Sequence, residues 1–156
     1  MERAAHKSSP RQRAARSKVL VMTSVSYAHG SSSVGRALFH MCFVPKYRRK
    51  VFRHEQIKRL CEESFKQTAQ LYGMQIEELA FNIDHVHMKI RISHTLSLAD
   101  AARLLKGRAA HFIFLRASWV RKYYFWGGHF WGAQYFFDSV GANEETITRY
   151  IRNQAQ

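Results

Sequence analysis

The sequence predicts an α+β fold in which an antiparallel sheet carries helices on one face. Residues 85–93 alternate between apolar and polar side chains, as a strand with one buried face does. Residues 54–72, and the segment that follows Ser97, place apolar side chains at helical spacing. Read along the chain, the elements follow the order β-α-β-β-α-β-α, which is typical of a ferredoxin-like (RRM-like) sandwich.

The first predicted strand is a nearly continuous apolar run over residues 38–44, which Pro45 ends. Its apolar character favours a central position in the sheet. A basic loop over residues 46–50 follows. The first helix is predicted over residues 54–72, with Gly73 as a plausible C-cap because glycine readily adopts the left-handed conformation that ends many helices.

The middle of the chain predicts an antiparallel strand pair and a second helix. Residues 74–81 form the second strand, residues 82–84 turn the chain, and residues 85–93 form the third strand. Ser97 and Asp100 have the spacing of a capping box, so a helix is expected to begin there.

The C-terminal part is rich in aromatic residues and glycine over residues 123–140, and a last strand is predicted near residues 135–140. Residues 141–143 then cap a final helix. Glu144 and Glu145 suit its first turn because negative charge stabilises the N-terminal end of a helix dipole.

The composition indicates one folded domain with a basic extension. The chain has 156 residues and a formal net charge of +14. Residues 1–35 are basic and poor in large apolar side chains, so they are expected to form a flexible extension, and residues 36–156 the folded domain. A positive charge of this size points to a polyanion, most often a nucleic acid, with an anionic membrane surface as the alternative.

Cysteine use and hydropathy indicate a cytoplasmic protein. Cys42 and Cys61 are far apart, fit no disulfide or zinc pattern, and read as small buried hydrophobes. We see no uninterrupted apolar span of the length that a transmembrane helix needs, and no signal-peptide core. A reducing cytosol is therefore the expected location, with no membrane partner.

A histidine pair in the third strand is the strongest chemical signal. Side chains two apart on a strand lie on the same face, so two imidazoles could bind one metal ion there. The alternative is an exposed or hydrogen-bonded histidine pair with no metal. The polar face carries His85, His87, Lys89 and Arg91.

The final helix carries a second set of polar groups. Ile147, Tyr150, Ile151 and Gln154 are spaced to form one stripe. A core tyrosine followed by a frayed terminal glutamine is one interpretation. The other is functional, because an activated phenol is a competent nucleophile and a carboxamide oxygen can ligate a hard metal ion.

Four short segments, taken together and in this order, resemble the single-tyrosine transposases of the IS200/IS605 family, which belong to the HUH endonucleases. They are Val-Pro-Lys-Tyr-Arg-Arg-Lys at 44–50, Asp-His-Val-His at 84–87, Leu-Lys-Gly-Arg at 105–108 and Tyr-Ile-Arg-Asn-Gln at 150–154. The resemblance covers residues 39–154, about three-quarters of the chain.

The resemblance implies a metal-dependent enzyme that cleaves and rejoins single-stranded DNA. It makes Tyr150 the nucleophile, which would form a 5′-phosphotyrosine intermediate. It makes His85, His87 and Gln154 the ligands of a divalent ion, Mg²⁺ or Mn²⁺. From the residues themselves, we expect Asp84 to cap the turn or to orient a histidine from behind the ligands, rather than to act as a general base.

The resemblance also implies the partners. The DNA of the family is folded into hairpins at the ends of the mobile element, and its members act as homodimers in which the tyrosine helix can complete the partner's active site. The protein would then associate with the nucleoid. The residues expected to contact DNA are Lys46, Arg48, Arg49, Lys50, Lys89, Arg91, Lys106 and Arg108. Candidates for stacking on bases are Trp126, Trp131 and Tyr135.

Three other functions remain open on the sequence. A domesticated relative that processes repeated extragenic palindromes would share the chemistry and differ in substrate. A non-catalytic module that binds single-stranded nucleic acid would need the charge and the aromatic residues, but not Tyr150 and the histidine pair together. A simple metal-binding protein would not need the net charge of +14.

Overall fold

The computed structural model describes residues 28–29, 34–35, 38–140 and 144–153. Within the predicted N-terminal extension it describes a two-residue ladder, in which Ala28–His29 pairs with Val34–Gly35. The rest of that extension, the predicted cap at residues 141–143, and Gln154 lie outside the described residues.

The main body is a four-stranded antiparallel sheet with a layer of helices, which confirms the predicted fold class. In chain order the elements are β1 (Leu38–Pro45), α1 (Glu55–Leu71), β2 (Gln75–Phe81), β3 (Val86–Arg91), α2 (Leu98–Arg116), α3 (Ser118–Tyr124), β4 (Trp131–Ser139) and α4 (Glu144–Asn153). The strands lie in the order β2-β3-β1-β4, and each neighbouring pair is antiparallel. Two short 3₁₀ turns, Lys46–Arg48 and Val51–Arg53, connect β1 to α1.

The hydrophobic core lies between one face of the sheet and the pair α1 and α2. Val86, Met88 and Ile90 of β3 are fully buried there, together with Phe65 of α1 and Leu105 of α2. The alternation read from the sequence therefore assigned the core face of β3 correctly. It follows that His87 and Lys89 lie on the opposite face of the sheet.

Two predicted helix boundaries have the expected cap chemistry. After α1, Gly73 has a φ of +64°, and the Met74 N–H donates to the Ala69 carbonyl over 2.8 Å. This is the hydrogen bond that closes a Schellman motif. Before α2, the Ser97 hydroxyl oxygen accepts the Asp100 N–H over 3.0 Å, as an N-cap does.

The C-terminal part departs from the prediction in two ways. Helix α3 was not predicted, and β4 begins at Trp131 rather than near residue 135. Trp131 is buried, with ring centroids 5.8 Å from Phe43 and 6.0 Å from Phe65. The prediction that Trp131 is an exposed stacking residue is therefore wrong, because its indole fills the core where β4 begins.

Helix α4 packs on the sheet face opposite α1 and α2, against β2 and β3. We expected this face to be open for a ligand, but α4 covers part of it. Within the part of the chain that the structure describes, no helix is long and apolar enough to cross a membrane.

Candidate active site

The two histidines of the Asp-His-Val-His segment lie side by side, as predicted. His85 immediately precedes β3 and His87 is its second residue. Their ring centroids are 4.8 Å apart and the rings are nearly perpendicular, at 88°. His87 is 7% exposed, so its imidazole lies in a largely dehydrated environment.

A carboxylate holds one nitrogen of His85. Asp84 Oδ1 lies 2.6 Å from His85 Nδ1, while Asp84 Oδ2 accepts from the Arg48 guanidinium at 3.1 Å. Burial raises the pKa of the Asp84 carboxyl, but the hydrogen bonds from His85 and Arg48 outweigh it and hold the pKa below its ordinary value. A carboxylate that binds Nδ1–H leaves Nε2 of His85 as the nitrogen with a lone pair.

A third histidine, which the sequence analysis did not single out, holds His87. His40 of β1 lies with its Nε2 3.0 Å from His87 Nδ1, and the two rings stack with centroids 5.1 Å apart. If His87 is the donor in this pair, its Nε2 carries a lone pair. That Nε2 is buried and has no hydrogen-bond partner among the described residues.

The surroundings of His87 favour its neutral form. Burial, followed by the positive charges that His85 and His40 can carry, lowers the pKa of His87 to about 4. Burial also lowers the pKa of His40, against the opposing effect of Asp138 on the neighbouring strand. Neutral imidazole is the form that ligates a metal ion.

Tyr150 lies over this histidine cluster within the same chain. Its ring centroid is 5.6 Å from that of His87 and 6.4 Å from that of His40, nearly edge-on to both. The side chain is 50% exposed, so one side of the phenol faces the cluster while the other remains accessible to solvent. The structure thus brings together the two features that the sequence analysis could only place on separate elements.

Polar contacts and one buried side chain hold α4 in this position. The Lys89 ammonium donates to the Thr148 hydroxyl over 3.2 Å, and the Arg152 guanidinium donates to the Glu78 carboxylate over 2.6 Å. Ile151 is buried beside them. These contacts fix the position of α4, and with it that of Tyr150, relative to the sheet.

The residues present fit a divalent ion in part. His85 and His87 each keep one nitrogen with a lone pair. Nε2 of His87 has no hydrogen-bond partner among the described residues, so its lone pair could bind a metal ion. The thiol of Cys42, opposite His87 on β1, is a poor ligand because burial raises its pKa to about 11. Among the described residues, no three His, Cys, Asp or Glu side chains are grouped to hold a metal ion. A third protein ligand would therefore come from another residue type or from outside this part of the chain.

The residues expected to contact DNA fall into three groups. Arg48, Arg49 and Lys50 are exposed in the loop that follows β1, next to Lys46. Lys89 is buried, and both Lys89 and Arg91 form ion pairs with Glu77. Lys106 and Arg108 are on α2, across the sheet from His87.

Lys106 is also occupied within the protein. Its ammonium donates to the Gly132 carbonyl over 2.7 Å and to the Ala133 carbonyl over 3.1 Å, and burial lowers its pKa. Lys89 lies opposite His40 in the sheet, and Arg48 of the loop after β1 reaches the histidine cluster through its ion pair with Asp84.

The chain is similar to known transposases over most of its length. Residues 33–154 match the family described as "Transposase IS200 like". The chain is 28% identical over 118 residues to the transposase for insertion sequence element IS200 of Salmonella typhimurium, with 76% of each protein covered. It is 25% identical over 126 residues to the ISDra2 transposase TnpA of Deinococcus radiodurans, covering 80% of this chain and 89% of that protein.

Two solved structures share the fold. A candidate transposase from Deinococcus radiodurans superposes with a TM-score of 0.65 at 25% identity, covering 81% of this chain and 96% of that one. A REP-associated tyrosine transposase, solved with a REP hairpin, superposes with a TM-score of 0.57 at 10% identity, covering 80% of this chain and 70% of that one. At such low identity, the second similarity concerns the fold alone.

Proposed function

Because the chain belongs to the family of IS200-like transposases, we propose that it cleaves single-stranded DNA with Tyr150 and rejoins it to a different end. The observation that carries this proposal is the position of the Tyr150 ring, 5.6 Å from that of His87, whose buried Nε2 has no described partner. A half-exposed phenol beside an imidazole nitrogen that could bind a metal ion is an arrangement that suits nucleophilic attack on a phosphate.

The phenol oxygen of Tyr150 attacks the scissile phosphorus. The bond from phosphorus to the 3′ oxygen breaks, the phenol gives up its proton to solvent, and the 3′ oxygen takes one up. The DNA is left with a free 3′-OH and a 5′ phosphate linked to tyrosine. Because the new ester preserves the energy of the bond, attack by another 3′-OH rejoins DNA without ATP and regenerates the phenol.

In this proposal His85 and His87 hold a divalent ion through Nε2, with Gln154 as the third ligand. Gln154 lies four positions after Tyr150. Mg²⁺ or Mn²⁺ suits a mixed nitrogen and oxygen set that keeps positions open for a phosphate. When bound, such an ion supplies polarisation of the phosphate and stabilisation of charge on the leaving oxygen. Asp84 and His40 keep the two imidazoles in the orientation and tautomer that this role requires.

The proposed substrate is single-stranded DNA that carries a hairpin at the element's end. Support comes from the net charge of +14 and from the exposed basic loop over residues 46–50. A domesticated repeat-processing enzyme is the second candidate, because it would need the same tyrosine, histidines and basic loop; the structurally similar REP-associated transposase was solved with a REP hairpin. The two share their chemistry, so a panel of hairpin sequences separates them.

The test is a covalent trap. Incubation with a hairpin oligonucleotide that has a single-stranded flank, in the presence of Mn²⁺, should give a protein–DNA conjugate that survives denaturing electrophoresis. Tyr150→Phe should abolish the conjugate and leave hairpin binding within a few-fold of wild type, because it removes one oxygen from a half-exposed side chain. Cleavage that persists in Tyr150→Phe would show that the nucleophile is another residue.

A further inference from the structure

A cleft of about 230 Å³ lies between the loop after β1 and the loop after α3. Its walls include Lys46, Tyr47, Arg49, Trp126 and His129, and we call it the aromatic cleft. We propose that the aromatic cleft binds an unpaired base of the DNA strand and thereby positions the strand that leads to Tyr150. This inference rests on the proposed function, since it assumes a single-stranded DNA substrate.

Two very exposed aromatic rings are the first support. Trp126 is 83% exposed and Tyr47 is 73% exposed, although both line the same cleft. An isolated exposed aromatic residue needs no explanation, but two on one concave surface form a stacking platform. Each base that stacks on an aromatic side chain contributes about 1–3 kcal/mol, with little dependence on sequence.

The backbone holds the Tyr47 ring outward at a conformational cost. Tyr47 has a φ of 60° and Arg48 a φ of 49°, so two consecutive residues with a Cβ are left-handed. Such conformations cost on the order of 1 kcal/mol or more each and persist where the surroundings fix them. Here the Lys46 N–H donates to the Phe130 carbonyl over 2.8 Å, and the Arg48 side chain is held by Asp84.

The charge around the cleft suits a nucleotide. Lys46 Nζ lies 5.2 Å from the centroid of the Tyr47 ring, and Arg49 Cζ lies 5.9 Å from it. No Asp or Glu is among the described residues that line the cleft. A base on the ring would therefore bring its phosphate next to two cations, which favours a nucleotide over an apolar peptide segment.

One residue links the aromatic cleft to the sheet face that carries His87. Tyr47 is shared with a second, larger cleft of about 480 Å³, which Arg48 and Phe136 also line. Phe136 is opposite Cys42, on the strand face that carries His87. A DNA strand that leaves Tyr150 can therefore pass Arg48 and reach the aromatic cleft without crossing the core of the protein.

The test measures binding in the Tyr150→Phe background, so that it does not depend on chemistry. The probe is a single-stranded oligonucleotide that carries 2-aminopurine, a base whose fluorescence is quenched on stacking. Trp126→Ala and Tyr47→Ala should each weaken binding by about 5- to 150-fold, the equivalent of 1–3 kcal/mol, and relieve the quenching. Trp126→Phe should restore most of the binding, and blunt duplex should bind equally in all variants.

The matched control is Tyr123→Ala. Tyr123 is 67% exposed and has Lys122 Nζ 6.0 Å from its ring centroid, but it does not line the cleft. Equal losses in Tyr123→Ala and Trp126→Ala would overturn the proposal, as would unchanged affinity in Trp126→Ala. A change of oligomeric state in Trp126→Ala would assign the cleft to a second copy of the chain and also overturn it. Loss of the conjugate in the Mn²⁺ trap with intact stacking would instead refute only the proposed chemistry.

Discussion

Replacing His40 tests whether the hydrogen bond behind His87 controls metal binding. In His40→Leu, the hydrogen-bond partner 3.0 Å from His87 Nδ1 disappears, and no other described residue is a partner of that nitrogen. Since His87 is buried, its N–H would be left unpaired at a cost of about 1–3 kcal/mol, or the proton would move to Nε2 and block the lone pair.

Either outcome weakens metal binding. Loss of a partner behind a ligating histidine typically lowers metal affinity by about 10- to 100-fold, or about 1.4–2.7 kcal/mol. We expect His40→Leu to show this loss in calorimetric titration with Mn²⁺. His40→Gln is the matched control, because its carboxamide oxygen can still accept from His87 Nδ1 and should keep the affinity within a few-fold of wild type.

Two further measurements test the role of His40. Thermal unfolding in EDTA should show that both His40 variants are folded. Nitrogen NMR of the metal-free protein should find the His87 proton on Nδ1 in wild type and a changed distribution in His40→Leu. Wild-type affinity for Mn²⁺ in a folded His40→Leu would refute the role of His40, whereas a wild-type protein that binds no Mn²⁺ would refute the ligand assignment itself.

Two other predictions follow from the same cluster. In EDTA, the stability should fall as the pH drops from 6.5 towards 4, because His87 has an ordinary pKa of 6.5 when unfolded and about 4 when folded, so the unfolded state binds more protons in that range. The free energy of unfolding should fall by less than the roughly 3 kcal/mol that the full pKa difference corresponds to, because solvent screens a group that is not fully buried. Urea unfolding should show a flatter pH dependence in His87→Gln. Mixing Tyr150→Phe with His87→Ala should restore no conjugate if each chain uses its own tyrosine, as the 5.6 Å ring contact within one chain indicates. Recovery of the conjugate in the mixture would show that dimers exchange the tyrosine helix.

The sequence predicted the sheet well where a strand has one buried face. Val86, Met88 and Ile90 alternate with polar residues, and this pattern assigned both the core face of β3 and the opposite face that carries His87. It did not predict that Lys89 is buried. Lys89 is covered by α4, and the contact runs from Lys89 to Thr148, 59 positions later in the chain. Periodicity describes one element and does not show what packs on it.

His40 escaped notice for a related reason. It lies in a strand that reads as apolar throughout, and such a strand predicts burial on both faces. One signal was present: His40 and Cys42 occupy alternate positions, so β1 has a face that is less apolar than the other. Pairing β1 with β3 was needed to bring His40 against His87. The start of β4 and helix α3 were not predicted, because the aromatic residues near Trp131 occur in buried and in exposed positions alike. Their sequence pattern therefore does not show which of them belong to the core.

The buried cluster between the sheet and helices α1 and α2 is built from residues 41–131, so α4 contributes none of it. The core and the candidate histidines therefore share the strands β1 and β3, whereas Tyr150 lies on a helix that adds nothing to that buried cluster. If Tyr150 is the nucleophile, as proposed, its loss would end strand cleavage without disturbing the core that supports the basic loop, and a folded DNA-binding domain would remain.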